Sequence, residues 1–110
     1  MSMSSENSML DTILHLIDER KGSRSVVIDL RDAPIPTEYF VIAEGDNPVH
    51  VKAIISALRS DLPHKPLHRE GVSEQRWVVL DYGDIVVHVF TKEARDFYDI
   101  ESLWADHVVK

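Results

Sequence analysis

The sequence predicts an α/β fold of the α+β kind, one domain in which helices pack on a mixed β-sheet, and three observations carry that prediction. Two short β-branched runs interleave with two stretches of helical apolar periodicity, a hairpin signature follows them, and a third helical rhythm closes the chain. A chain of 110 residues fits one domain.

Leu10, Ile13, Leu14 and Ile17 recur at helical spacing, serines precede them as N-cap candidates, and Gly22 stands where a helix would end. A first helix is expected over residues 8–21. Residues 1–8 are polar and small, with neither a basic nor an apolar leader region, and read as a flexible tail ahead of a domain spanning 9–110. Ser25-Val26-Val27-Ile28-Asp29-Leu30 reads as a buried strand, broken by residues 31–36. Tyr39-Phe40-Val41-Ile42-Ala43 is a second strand, and Asp46-Asn47-Pro48 then opens a helix with proline in its first turn. Val51, Ile54, Ile55, Leu58 and Leu62 form the apolar stripe of that helix, which Pro63 ends.

Residues 63–74 hold two prolines, a glycine and many polar groups, so an irregular surface loop is expected. Trp77-Val78-Val79-Leu80 and Ile85-Val86-Val87-His88-Val89-Phe90 then form a hairpin about a Tyr82-Gly83 turn. Ala94, Phe97, Tyr98, Ile100, Leu103 and Trp104 give a third helix from about 91 to 104, with Thr91 as N-cap.

The composition, 44% hydrophobic and 28% charged with mean hydropathy −0.17, is that of a folded globular domain. With no cysteine, disulfides, thiolate metal sites and thiol nucleophiles are excluded, and a cytoplasmic location is expected. No apolar run approaches the ~20 residues that span a bilayer. The net charge of −7 opposes direct nucleic-acid binding and suits a basic partner, although it can equally do no more than keep a small domain soluble.

The expected hairpin register sets Asp81 opposite Asp84, Val79 opposite Val86 and Trp77 opposite His88 on one face, with Val78, Leu80, Ile85, Val87 and Val89 on the core face. The first face has the composition of a docking patch. An equal alternative is a helix covering Trp77, with Asp81 and Asp84 capping the turn. Two carboxylates near a histidine can also serve acid/base or metal chemistry, but the sequence places no nucleophile or further ligand. His64 and His68, four apart, are separated by Pro66 and read as surface histidines. Glu44-Gly45-Asp46-Asn47 reads as a capped strand-to-helix turn, its acids repelling phosphate. Arg95, Tyr98 and Glu101 can offer a charge and an aromatic to a partner; the competing reading is a solvated Arg95–Glu101 face with Phe97 and Tyr98 in the core.

Glu70-Gly71, the run from Trp77 to Phe90, Arg95-Asp96-Phe97-Tyr98 and Glu101-Ser102-Leu103-Trp104 together resemble the signature half of the ribosomal silencing factor (Iojap-like) family. Asp29-Leu30, Tyr39 to Ala43, His50-Val51 and Ala53-Ile54 match in order and spacing, so the resemblance covers nearly the whole chain after residue 20. Two stretches depart from the family pattern. Pro34-Ile35-Pro36-Thr37-Glu38 stands for a serine-isoleucine-threonine-aspartate stretch, and Pro48-Val49 for a serine-arginine pair.

The resemblance implies a factor that binds the large ribosomal subunit through its protein fourteen, blocks joining of the small subunit and represses translation, with no cofactor and no membrane. It also implies a nucleotidyltransferase-like fold. Those enzymes hold two metals with acids on adjacent strands behind a Gly-Ser element, whereas here Asp46 follows Gly45 and His88 occupies the strand position of an acid. Under this reading the partner-binding residues are Trp77, Asp81, Tyr82, Asp84, His88, Arg95 and Tyr98, direct rRNA contact is small, and a homodimer can form off the ribosome. The competing readings are a nucleotide-binding enzyme, resting on fold analogy, and a structural homodimer paired through the hairpin face.

Overall fold

Strand and helix periods alternate along the chain, and the sheet they build has one end-to-end buried member. The computed structural model describes residues 5–109, with side chains from Ser8 onward. Its elements are α1 (Ser5–Glu19), β1 (Ser23–Asp29), β2 (Tyr39–Gly45), α2 (Pro48–Asp61), β3 (His68–Glu70), β4 (Trp77–Asp81), β5 (Ile85–Thr91), α3 (Lys92–Tyr98) and a 3-10 segment, Ile100–His107. The sheet order is β1-β2-β5-β4-β3. β2 and β5 run parallel and every other pair is antiparallel, so the predicted mixed sheet is present.

Helix α1 begins three residues before the predicted start, and of the expected tail residues 1–4 lie outside the described residues. Its end differs in detail. Lys21, not Gly22, takes the left-handed conformation (φ 65°), while the Gly22 and Lys21 amides donate to the Ile17 and Asp18 carbonyls, both at 2.9 Å, and so satisfy the last turn. Helix α2 starts as expected: Asn47 Oδ1 accepts from the His50 amide at 2.9 Å, and Pro48 occupies the first turn. His50 joins the two helices. Its Nδ1 accepts from the Asp46 amide at 2.8 Å, which leaves Nε2–H to donate to the Arg20 carbonyl at 2.6 Å.

Both faces of the sheet are apolar. On one, Val27, Val41, Ala43, Val78, Leu80, Ile85, Val87 and Val89 pack beneath the stripes of α1 and α2, forming the larger core. On the other, Ile28, Leu30, Ile42, Phe90 and Ala94 form a smaller core, partly covered by Trp77, Ile100 and Trp104.

Three predicted details are corrected. The loop at 63–74 contains a short edge strand, β3, pairing Arg69 with Leu80 and Glu70 with Val79. The hairpin register is shifted by two: Trp77 faces Phe90, Val79 faces His88, Asp81 faces Val86, and the Tyr82 amide bonds the Ile85 carbonyl, so the turn is Gly83-Asp84. Glycine at the first turn position supplies the φ of +91° that this turn needs. Finally, the last helix is two pieces. Asp99 is left-handed (φ 47°, ψ 48°) and stops α3, after which the chain continues as the 3-10 segment.

Gly71 stands where the chain leaves β3, with φ +76°, and a Cβ there would collide with the backbone carbonyl oxygen of Trp77, the first residue of β4. At Gly83 the nearest atom would be the flexible Leu67 Cδ1, 3.5 Å away. Gly71→Ala is therefore expected to cost roughly 2 kcal/mol or more and Gly83→Ala roughly 1 kcal/mol. Urea midpoints of the two variants check the order; equal midpoints would show that no close approach constrains residue 71.

Candidate docking surface

The face of β4 and β5 turned away from α1 and α2 is where the predicted site residues can be compared with their positions. Side-chain alternation puts Trp77 and Val79 of β4 on that face with His88 and Phe90 of β5 and Phe40 of β2. Trp77 stacks on Phe90 (ring centroids 5.0 Å apart, 25° between planes) and lies 4.6 Å from the ring of Tyr98 on α3. Tyr98 in turn meets Phe97 edge-on at 5.0 Å. The ladder runs from the buried Phe90 through the half-buried Trp77 to solvent, where Tyr98 is 51% and Phe97 80% exposed. Leu103, on the 3-10 segment, is 78% exposed as well.

His88 anchors the inner end. Although its direct cross-strand partner is Val79, the Trp77 indole reaches diagonally and donates from Nε1 to His88 Nδ1 at 3.1 Å. That bond makes Nδ1 an acceptor and puts the ring proton on Nε2, which is buried beside Phe40, its ring centroid 4.7 Å away, and has no hydrogen-bond partner among the described residues. Burial pushes the imidazole pKa down to about 4.

Of the other predicted residues, Asp81 caps the hairpin turn, its Oδ1 accepting from the Gly83 amide at 2.8 Å. It lies four residues along β4 from Trp77, roughly 13 Å away. Tyr82 and Asp84 are not on the aromatic face. They line a cleft of about 710 Å³ beside α1, with Met9, Leu62, His64 and Leu67 among the other walls. The Tyr82 hydroxyl is buried and has no hydrogen-bond partner among the described residues, and desolvation raises the phenol to about 12 despite the nearby positive charge of Arg59. His64 and His68 are exposed, as expected.

Arg95 requires correction, because it is only 3% exposed and is not presented to solvent. Its guanidinium binds Glu101 through two contacts, Nε to Oε1 at 2.6 Å and Nη2 to Oε2 at 3.1 Å, and Nη1 lies 3.6 Å from Glu44 Oε1. Glu44, also buried, accepts from Arg24 at 2.9 and 2.6 Å. Phe97 and Tyr98, which the solvated-face alternative puts in the core, are the exposed residues instead. The sequence reading also missed Glu44, Arg24, Phe90 and Phe97; the available signal was the lone carboxylate ending the apolar run Tyr39 to Ala43.

A mixed five-stranded sheet with two helices on one face and an aromatic ladder emerging from the other defines a small α+β domain with exposed aromatic side chains. The chain belongs to the ribosomal silencing factor family: the profile described as ribosomal silencing factor during starvation matches residues 3–110. It is 31% identical over 104 residues to the ribosomal silencing factor of Bacillus subtilis, covering 92% of this chain and 88% of that one. It is 29% identical over 104 residues to the mouse protein named mitochondrial assembly of ribosomal large subunit protein 1, covering 86% of this chain and 44% of that one. A crystal structure of a Chromobacterium violaceum protein superposes with a TM-score of 0.87 at 28% identity, covering 94% of this chain and 88% of the other.

The depressed pKa of His88 makes stability depend on pH. Above about 6.5 the imidazole is neutral in both states and contributes nothing to the slope; between about 6.5 and 4 the unfolded chain takes up a proton that the folded one refuses. Stability should therefore fall across that window, by a few kcal/mol at most. Urea unfolding at pH 7 and 4.5 is expected to show this slope in the wild type and to lose most of it in His88→Leu; an unchanged slope in the variant would assign it to other groups.

Proposed function

We propose that this chain silences ribosomes by binding protein fourteen of the large subunit and sterically blocking the small subunit from joining, thereby repressing translation in the cytoplasm. The family match over residues 3–110 carries this reading. The mouse relative is named for assembly of the large subunit, which supports the same subunit as partner. Among the described residues no helix is long and apolar enough to cross a membrane.

The exposed end of the aromatic ladder supports Phe97 and Tyr98 as anchors, with Trp77 bracing them from below. Aromatic side chains dominate the affinity of many interfaces. Around them the chain is acidic: residues 92–109 carry five carboxylates, Glu93, Asp96, Asp99, Glu101 and Asp106, against Lys92 and Arg95. Such a surface complements a basic protein, with charge speeding encounter and the aromatics prolonging the complex. Asp81, Tyr82 and Asp84 lie at the far end of the hairpin and form a second contact with the same partner.

Purified protein sedimented with separated subunits is expected in the large-subunit fraction, and added first it should reduce subunit joining. Recovery with both subunits equally, or with neither, would defeat the reading. Phe97→Ala with Tyr98→Ala is expected to weaken binding by about 2 kcal/mol, near 30-fold, while moving the urea midpoint little, because both side chains are exposed. Magnesium-dependent nucleotide binding in calorimetry would instead favour the enzyme reading.

A further inference from the structure

The excess of acids is not spread evenly over the chain. Residues 52–69 carry four cations, Lys52, Arg59, Lys65 and Arg69, against one carboxylate, Asp61, within a protein of charge −7. The fold gathers three of them. Ser56, Arg59 and Ser60, on one side of α2, face Lys65 and Pro66 of the following loop and Arg69 of β3 across an open cleft of about 700 Å³. Among the described residues no Asp or Glu lines it.

Three features make this a built arrangement. The predicted loop is pinned into the sheet by β3, and pairing of Arg69 with Leu80 turns the guanidinium toward the helix side, where Leu80 itself is buried. Lys52 and Arg59 are seven residues apart on α2, hence on the same side and about 10 Å apart along the axis, whereas Asp61 falls half a turn round from Lys52. Among the described residues none of the four cations has an ion-pair partner, in contrast to Arg24, Arg31, Lys92 and Arg95, which are all bridged to carboxylates. Like charges held together without counter-charge repel one another, and an anion relieves that repulsion.

We propose that this cleft binds the phosphodiester backbone of RNA. Arginine forks and serine hydroxyls offer donors suited to phosphate oxygens, and Lys52, on the same side of α2 but outside the cleft lining, carries positive charge ~10 Å further along the helix, enough to reach a second phosphate. The choice of RNA rests on the proposed place of the protein on a ribosomal subunit. The whole-chain charge still opposes binding, so the contact is weak and auxiliary to the aromatic docking surface, and it adds orientation at modest affinity.

The test uses the full chain and a fluorescein-labelled 16-base-pair RNA duplex, followed by anisotropy from 50 to 200 mM KCl. Wild type is expected to bind with a salt dependence that Arg59→Ala with Arg69→Ala reduces by close to two in log–log slope, with affinity about 10-fold lower at 100 mM. Backbone amide shifts on titration should centre on residues 56–69. Absence of duplex binding by wild type, an unchanged slope in the variant, or displacement of the duplex by inorganic phosphate or polyglutamate at equal charge concentration would each overturn the proposal. The same variant is sedimented with large subunits: a weakened but selective complex supports the cleft, and an unchanged one counts against it. Failure of wild type to bind large subunits would sink the silencing reading alone, since the duplex measurement contains no ribosome.

Discussion

Burial of β5 along its whole length is the constraint on which the other elements depend. All seven residues from Ile85 to Thr91 are buried, with β2 on one side and β4 on the other satisfying the backbone. Alternation then obliges two cores rather than one. Ile85, Val87 and Val89 draw α1 and α2 onto one face, while Phe90 and His88 require cover on the other, where the short α3, the 3-10 segment and Ala33 and Ile35 of the β1–β2 loop supply it in part. The aromatic ladder is what incomplete cover leaves. His88 is tolerated inside that strand because it stays neutral and the Trp77 indole satisfies one of its nitrogens.

The left-handed residue at Asp99 is the second determinant of the surface. In an unbroken helix Glu101 would lie six residues, or about 240°, around from Arg95 and could not reach it. The break redirects the chain so that Glu101 closes on Arg95 with two short bonds, and Glu44 approaches from the end of β2. Asp99 also accepts from the Ser102 hydroxyl at 2.6 Å, which fixes the new direction. The ionic group thus ties the C-terminal segment to the sheet, and the exposure of Phe97 and Tyr98 follows from the short helix it ends.

Much of this was legible in the residues. The apolar stripe of α2, its Asn47 cap and the two faces of the hairpin all follow from spacing, and the faces survive a register error of two because side chains repeat every second residue. The turn itself was misplaced by one position; glycine at the first turn residue was the available cue. The three-residue β3 is too short and too charged to carry a period. Asp99 could not be found by periodicity either, since the apolar rhythm runs on through it to Trp104. The burial of Arg95 depends on that break, so a side chain read as exposed on a helix face is instead held inside an ionic group. Tyr82 was separated from Trp77 for a different reason: five positions along a strand place two residues on opposite faces.

The parallel pairing of β2 with β5 has a kinetic consequence. Tyr39 is joined to Ile85 across 46 intervening steps of chain, and α2, β3 and β4 must all be accommodated in that loop. The β4–β5 hairpin closes over a two-residue turn and α2 needs only its own sequence, so both can form locally at small entropic cost. Docking of β2 against β5 is the step that must await them, and it is also the step that completes burial of the central strand. Until it occurs, one edge of β5 is an unpaired apolar strand, and on the ribosome that makes this chain its hairpin emerges some 40 residues after the partner it needs.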